Sequence, residues 1–393
     1  MNTNDSKCPR KIIAKNLHDL PRSGIRDFFD VVSSMHDVIS LGVGEPGFDT
    51  PWHIREASVF ALEKGATGYT PNLGLLKLRE ACSAYVKKTF QIDYSPKEEI
   101  IITVGVSEAL DLAIRALVDP GDEVLYHEPC YVSYAPVIRL AYGKPVPIPT
   151  QKEDHFRLTR DQLEEKVTSK SKILILNFPT NPTGATLPSK DLADIAAFIC
   201  KHNLIVITDE IYAELSYEEP HVSIASFPGM KERTLFLHGF SKAWAMTGFR
   251  LGYACAPPEI IEAMMKIHQY TMLCAPILSQ EAAYEALQKA ETDIAAMRDA
   301  YRKHRNFMCA SFQKMNLPYA EPQGAFYAFP NIKDLECSSQ EFALKLLEKE
   351  KVAVVPGSAF GASGEGYIRC SFATSLDDLK EAMVRIARFL ARR

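Results

Sequence analysis

The feature that most limits what this chain can become is a series of short apolar runs separated by helical patterns. The runs are Ile100–Val104, Glu123–Tyr126, Ile173–Leu176, Leu204–Ile207 and Thr234–Leu237. A strand with one wet face alternates apolar and polar residues, whereas these runs do not alternate and so ask for cover on both faces. Runs of that kind, joined through helices such as the pattern from Ser107 to Val118, predict a mostly parallel sheet, because parallel neighbours need a long crossover.

A chain of 393 residues exceeds what one ordinary core holds, so two domains are expected. The strand-bearing part suggests a large α/β domain over residues 50–285. From Leu278 to Met315 the pattern is long and helical, and after Pro330 a mixed segment leads to a last helix, Leu376–Arg392. Ser375 and Asp378 are placed as a capping box for it, and Leu376, Leu379, Met383, Ile386 and Leu390 form its apolar stripe. A smaller α+β domain is therefore expected from residues 286–393 together with 1–49.

Charge and cysteine usage narrow the class. The formal net charge is −4 and Lys and Arg are scattered, which argues against a nucleic-acid partner. The 9 cysteines include no C-x-x-C pair, so neither a metal centre nor a disulfide framework is expected. Met1–Asn16 lacks the apolar centre of a signal peptide, and no apolar run approaches the roughly 18 residues of a membrane span. A reduced, cytoplasmic protein is expected.

Gly42-Val43-Gly44-Glu45-Pro46-Gly47 fits the dinucleotide fingerprint G-x-G-x-x-G. That loop must open a helix between its second and third glycines, and Pro46 disfavours helical geometry at Glu45. The helix is expected to start later, with Thr50 as N-cap and Pro51 at its first position. What remains is a glycine turn able to bring backbone close to a ligand.

Four segments carry chemistry, each at the end of a predicted strand. In Phe240-Ser241-Lys242-Ala243-Trp244, Lys242 stands among large apolar residues, where an amine is either satisfied by a partner or has its pKa lowered by desolvation, which suits it to covalent catalysis. Arg250 follows on the next apolar strand as a fixed cation in need of an anion such as phosphate. Thr208-Asp209-Glu210-Ile211-Tyr212 follows a strand, so Asp209 either meets a cationic ligand group or caps a helix. Asn177-Phe178-Pro179-Thr180-Asn181-Pro182-Thr183-Gly184 presents the Asn181 amide on a turn, or is a plain loop. Val104-Gly105-Val106-Ser107 joins a strand to a helix N-terminus, a natural phosphate site, unless Ser107 is only an N-cap.

Taken together, the four segments resemble the fold-type-I, class I/II aminotransferases of the aspartate and aromatic aminotransferase superfamily. The resemblance runs from Gly42-Val43-Gly44-Glu45-Pro46 to Gly366-Tyr367-Ile368-Arg369. It implies pyridoxal 5′-phosphate (PLP) as cofactor and amino acid and 2-oxo acid as substrates. By this resemblance Lys242 bonds the cofactor and shuttles the substrate proton, and Asp209 keeps the pyridine nitrogen protonated. Tyr212 and Asn181 bond the ring's phenolic oxygen, and Tyr131 stacks on the ring or, without the resemblance, is a core aromatic. Val106, Ser107, Ser241 and Arg250 hold the phosphate, joined by Tyr69 from the second chain of a homodimer with shared active sites. Arg369 grips the substrate carboxylate as a fork, opposite Gly44.

The same residue set serves a PLP-dependent C–S β-lyase, so the motifs leave that alternative open. A PLP-sensing transcription regulator is disfavoured by the charge balance and by the few tens of residues before the resemblance begins. In the aspartate-specific subgroup a lysine after the glycines meets the substrate's distal carboxylate. Here Ser107 stands there, with Glu108 beside it to repel a second carboxylate if it faces the site. Broad or aromatic donor use is therefore expected, with 2-oxoglutarate as acceptor and aspartate left open.

Overall fold

The computed structural model describes residues 13–18, 20 and 35–392. Most of the N-terminal stretch assigned above to the smaller domain, and most of Met1–Asn16, lie outside the described residues. Seven strands form the main sheet: β2 Ile100–Thr103, β3 Glu123–Glu128, β4 Lys144–Pro149, β5 Ser171–Leu176, β6 Ile205–Asp209, β7 Thr234–Gly239 and β8 Gly252–Cys255. Their order is β2-β8-β7-β6-β5-β3-β4, and β8 runs antiparallel to both of its neighbours. The pairings β7–β6, β6–β5, β5–β3 and β3–β4 are parallel. The expected mostly parallel α/β sheet is therefore present.

Both faces of this sheet are covered, which is why its strands read as unbroken apolar runs. Along β2, Ile100 and Ile102 join one core cluster while Ile101 joins another on the opposite face. Along β7, Phe236 and its neighbours Leu235 and Leu237 divide in the same way. The edge strand β4 carries Pro145, Pro147 and Pro149, which an edge tolerates because one row of its backbone groups needs no partner.

The second part of the fold combines a three-stranded antiparallel sheet with a two-stranded parallel pair. The sheet joins β9 Tyr327–Ala328, β11 Val355–Pro356 and β12 Ile368–Ser371; β1 Ile39–Ser40 pairs with β10 Val352–Ala353. The expected helix from Leu278 to Met315 is in fact two, Ile277–Lys289 and Glu291–Lys314, meeting at Ala290. Lys289 ends the first and Glu291 and Asp293 begin the second, charges that suit the two helix dipoles. Ser375 caps the last helix, Leu376–Ala391, accepting from the Asp378 N–H, but Leu376 is exposed rather than part of the buried stripe.

Two starts differ from expectation. The helix expected from Ser107 runs Gly105–Leu117, so Ser107 lies in its first turn and is not its cap. Thr50 does not cap the next helix, Trp52–Glu63; Pro51 holds the N-cap position, and the Thr50 hydroxyl donates to the Ala245 carbonyl at 2.6 Å. That bond ties the N-terminal segment to the loop that carries Lys242.

Candidate active site

All four strand-end segments open at one edge of the main sheet, because β2, β5, β6 and β7 are parallel and end together. Arg250 reaches the same edge by a different route. It sits in the turn before β8, not on a strand, with a left-handed backbone (φ 51°). Since β8 is antiparallel, its first residue Gly252 pairs with the last residues of β7 and β2, Gly239 and Thr103. Gly105 makes room for the guanidinium: a Cβ there would lie 2.7 Å from Arg250 Nη2, on a backbone at φ +74°.

A cavity of about 620 Å³ at this edge is lined by Gly44, Val106, Ser107, Tyr131, Asn181, Asp209, Tyr212, Ser241, Lys242, Arg250 and Arg369. Of the residues picked from sequence only Tyr69 is outside it; Tyr69 is 84% exposed in the single chain. The G-x-G-x-x-G segment opens no helix and instead crosses the cavity as backbone. The Gly44 carbonyl accepts from Lys242 Nζ at 2.5 Å, and the Gly42 carbonyl accepts from Arg369 Nη2 at 2.5 Å. A Cβ on Gly44 would press on Tyr327 Oη at 2.9 Å.

Burial sets the charge states. Desolvation holds the Lys242 amine down at about 8, with the nearby Glu45 opposing and Arg369 assisting. Asp209 is pushed up to about 6 by burial, against the Tyr134 hydroxyl and the Ile211 N–H, which donate to its oxygens at 2.9 and 3.3 Å. The Asn177 side chain donates to the Asp209 carbonyl at 2.8 Å. Arg369, on β12, lies over the Tyr327 ring at 4.4 Å and donates from Nη1 to Asn181 Oδ1 at 3.0 Å. Its Nε is buried and has no partner among the described residues.

Sequence reasoning missed Tyr134 and Tyr327. Tyr134 begins the helix Tyr134–Leu140, and its ring meets that of Tyr131 edge-on with centroids 5.7 Å apart. Tyr327 shares a hydrogen bond of 3.0 Å with Tyr212 and lies on β9, in a segment that carried no motif. Glu108 was expected to add repulsion if it faced the site, and it does not face it. It is buried beneath the turn, accepting from the Val104 N–H at 2.5 Å and lying 2.7 Å from His268 Nδ1.

An amine, a carboxylate and a guanidinium thus converge on one cavity at a sheet edge, and residues 36–386 match the family model for aminotransferase class I and II. The chain belongs to that family. Aminotransferases of this class are PLP-dependent transaminases that move an amino group between an amino acid and a 2-oxo acid. The chain is similar to the putative aminotransferase YugH of Bacillus subtilis, 53% identical over 94% of this chain and 95% of that protein. It is 48% identical to an aspartate aminotransferase of Pyrococcus abyssi, over the same shares of the two chains. The crystal structure of an aromatic aminotransferase from Pyrococcus horikoshii superposes with a TM-score of 0.90 at 47% identity, covering 94% of this chain and 99% of that one. The fold is that of the fold-type-I aminotransferases.

Proposed function

We propose that this aminotransferase holds PLP on Lys242 and accepts broad or aromatic amino donors, with 2-oxoglutarate as acceptor. The observation that carries the reading is the convergence of Lys242, Asp209 and Arg369 on one cavity. The cavity's residues fit the cofactor. The backbone N–H groups at Val106 and Ser107, the Ser241 hydroxyl and Arg250 would take its phosphate at a helix N-terminus. Asp209 would face the ring nitrogen, Tyr131 the ring plane, and Tyr212 and Asn181 the phenolic oxygen. When bound, PLP supplies an electron sink for charge developing at the substrate Cα. Lys242, whose lowered pKa of about 8 gives it a substantial neutral fraction near physiological pH, would take the Cα proton and return it. Arg369 binds the substrate carboxylate, which supplies the partner that its Nε lacks, and Gly44 offers backbone opposite. Together these contacts orient the Cα–H for removal.

The donor preference rests on what lines the cavity. Its side-chain cations among the described residues are Lys242, Arg250 and Arg369, all engaged by the roles above. Tyr131, Tyr212, Tyr327 and Leu110 offer apolar and aromatic wall instead. A second carboxylate would be left without a paired cation from its own chain, whereas an aromatic side chain carries no such penalty. The distal carboxylate of 2-oxoglutarate then meets a donor from the second chain.

We further propose a homodimer with shared active sites, in the cytoplasm. Tyr69 is outside its own cavity, and Tyr270, 87% exposed, and Phe60, Met272 and Leu273 are exposed large apolar residues too. Asn72 donates to the Leu273 carbonyl at 2.7 Å, joining two of these segments. Such a surface calls for a partner, and a second copy brings Tyr69 to a phosphate. Among the described residues no helix is long and apolar enough to cross a membrane, and Cys82, Cys130, Cys200, Cys255, Cys274, Cys309 and Cys370 are free thiols. The division into residues 50–285 and the remainder is likewise proposed. Along the helix Glu291–Lys314 the core contacts pass from one cluster at Ile294 to another at Met297.

The test supplies the holoenzyme with single amino acids and 2-oxoglutarate. Glutamate formation is expected. Pyruvate released from cystathionine without a 2-oxo acid, and no glutamate, would overturn the reading in favour of a β-lyase.

A further inference from the structure

A second cavity, of about 500 Å³, lies behind the loop that carries Lys242 and is walled by the helices Leu76–Phe90, Ile277–Lys289 and Glu291–Lys314. Its size falls in the range of small-molecule sites. Three of its lining residues carry buried polar atoms without a hydrogen-bond partner among the described residues: Glu214 Oε2, Trp244 Nε1 and Arg298 Nε. Trp244 is 1% exposed and the Glu214 side chain 7% exposed, so neither is a surface group left to bulk water. Buried polar groups are nearly always paired, and several orphans around one cavity ask for a common occupant.

The orphans differ in sign. Glu214 uses Oε1 to accept from Tyr85 and lies 3.0 Å from His238 Nε2, which leaves Oε2 as a free acceptor. Burial pushes the Glu214 carboxyl up, but His238 and Tyr85 outweigh it and keep the group anionic. The indole N–H of Trp244 and the Nε–H of Arg298 are donors. An occupant that satisfies all three carries a cationic donor at one point and an anionic acceptor at another. The remaining wall joins the apolar side chains of Phe90, Leu287 and Ile294 to a polar rim in which Lys88 pairs with Glu291 at 2.8 Å.

We propose that this cavity is a second binding site, outside the catalytic one, for a zwitterionic α-amino acid with a large apolar side chain. Its ammonium group meets Glu214, and its carboxylate meets Trp244 and Arg298. The site is coupled to catalysis through short covalent paths. Glu214 follows Tyr212 by two residues, and Trp244 follows Lys242 by two. An amino acid bound here holds the back of both segments and so modulates turnover at the front.

The experiment uses holoenzyme reduced with borohydride, which cannot turn over, with 2-oxoglutarate added to fill the catalytic site. Calorimetric titration with L-leucine and L-phenylalanine then counts the remaining sites. One equivalent per chain of at least one probe is expected. Ala295→Trp, which fills the cavity, and Trp244→Phe, which removes the N–H together with the five-membered ring, should each weaken it about tenfold or more. Ala295→Trp should leave transamination without effector unchanged. No remaining equivalent, or binding that neither variant weakens, overturns the proposal. If either variant fails to fold, crystals of the reduced wild-type enzyme soaked with the same probes decide: an amino acid contacting Glu214 supports the site, and ordered water alone rejects it.

Discussion

Tyr134 donates its hydroxyl hydrogen to Asp209 Oδ2 at 2.9 Å; both side chains are buried, and Asp209 lines the cavity. The bond favours the ionised carboxylate against the burial that pushes Asp209 up to about 6. Tyr134→Phe removes that support, so the Asp209 carboxyl rises further and is protonated at higher pH. The acid limb of the kcat profile should therefore move to higher pH, by roughly half to one unit for one lost hydrogen bond of about 1 kcal/mol. A profile that superposes on wild type would mean that Asp209 does not govern the acid limb.

Asp209→Asn should harm turnover more than cofactor affinity. A neutral side chain cannot hold a pyridine nitrogen protonated, while the proposed phosphate contacts at Val106, Ser107 and Arg250 would stay in place. The expected loss in kcat is about 100-fold or more, with PLP affinity changed by far less. Near-normal turnover would leave Asp209 with only its bonds to Tyr134 and Ile211.

Glu108→Ala should loosen the cofactor rather than slow the chemistry. The carboxylate fixes the Val104 N–H and lies against His268, so it sets the turn from which the phosphate donors emerge. Its loss leaves a part-buried N–H unpaired, and PLP affinity should fall about tenfold. Dissociation constants and kcat at saturating PLP, measured side by side, separate the two effects. A changed kcat with unchanged affinity would contradict the assignment.

Donor preference is read from kcat/KM for phenylalanine, tyrosine, aspartate and alanine with 2-oxoglutarate as common acceptor. The aromatic donors should equal or exceed aspartate. A tenfold preference for aspartate over both aromatics, about 1.4 kcal/mol in the transition state, would overturn the broad or aromatic donor preference.

The sheet was legible because burial on both faces leaves a plain mark: β2, β3, β5, β6 and β7 are uninterrupted apolar runs. β4 was not, because its alternating prolines argue against a strand until its edge position is known. The motif residues Lys242, Asp209 and Arg369 were legible because each ends or lies in an apolar run, where a polar residue needs a reason, and Asn181 because its turn-rich loop follows such a run directly. Tyr134 and Tyr327 were not, since a buried tyrosine reads as core and only three-dimensional contact reveals what its hydroxyl meets. The Arg250 placement failed for a topological reason: nothing local says that β8 reverses direction. Whether Glu108 faces the cavity beside Ser107 could not be read from adjacency, because along a helix neighbouring residues point about 100° apart.

The central claim is that Lys242 is the amine that carries the cofactor. Its most direct test is borohydride reduction of the PLP-loaded protein, followed by proteolysis and mass mapping of the phosphopyridoxyl label. The account predicts a single labelled peptide, with the label on Lys242, and no label in Lys242→Ala. Label on another lysine, or on none, would contradict it.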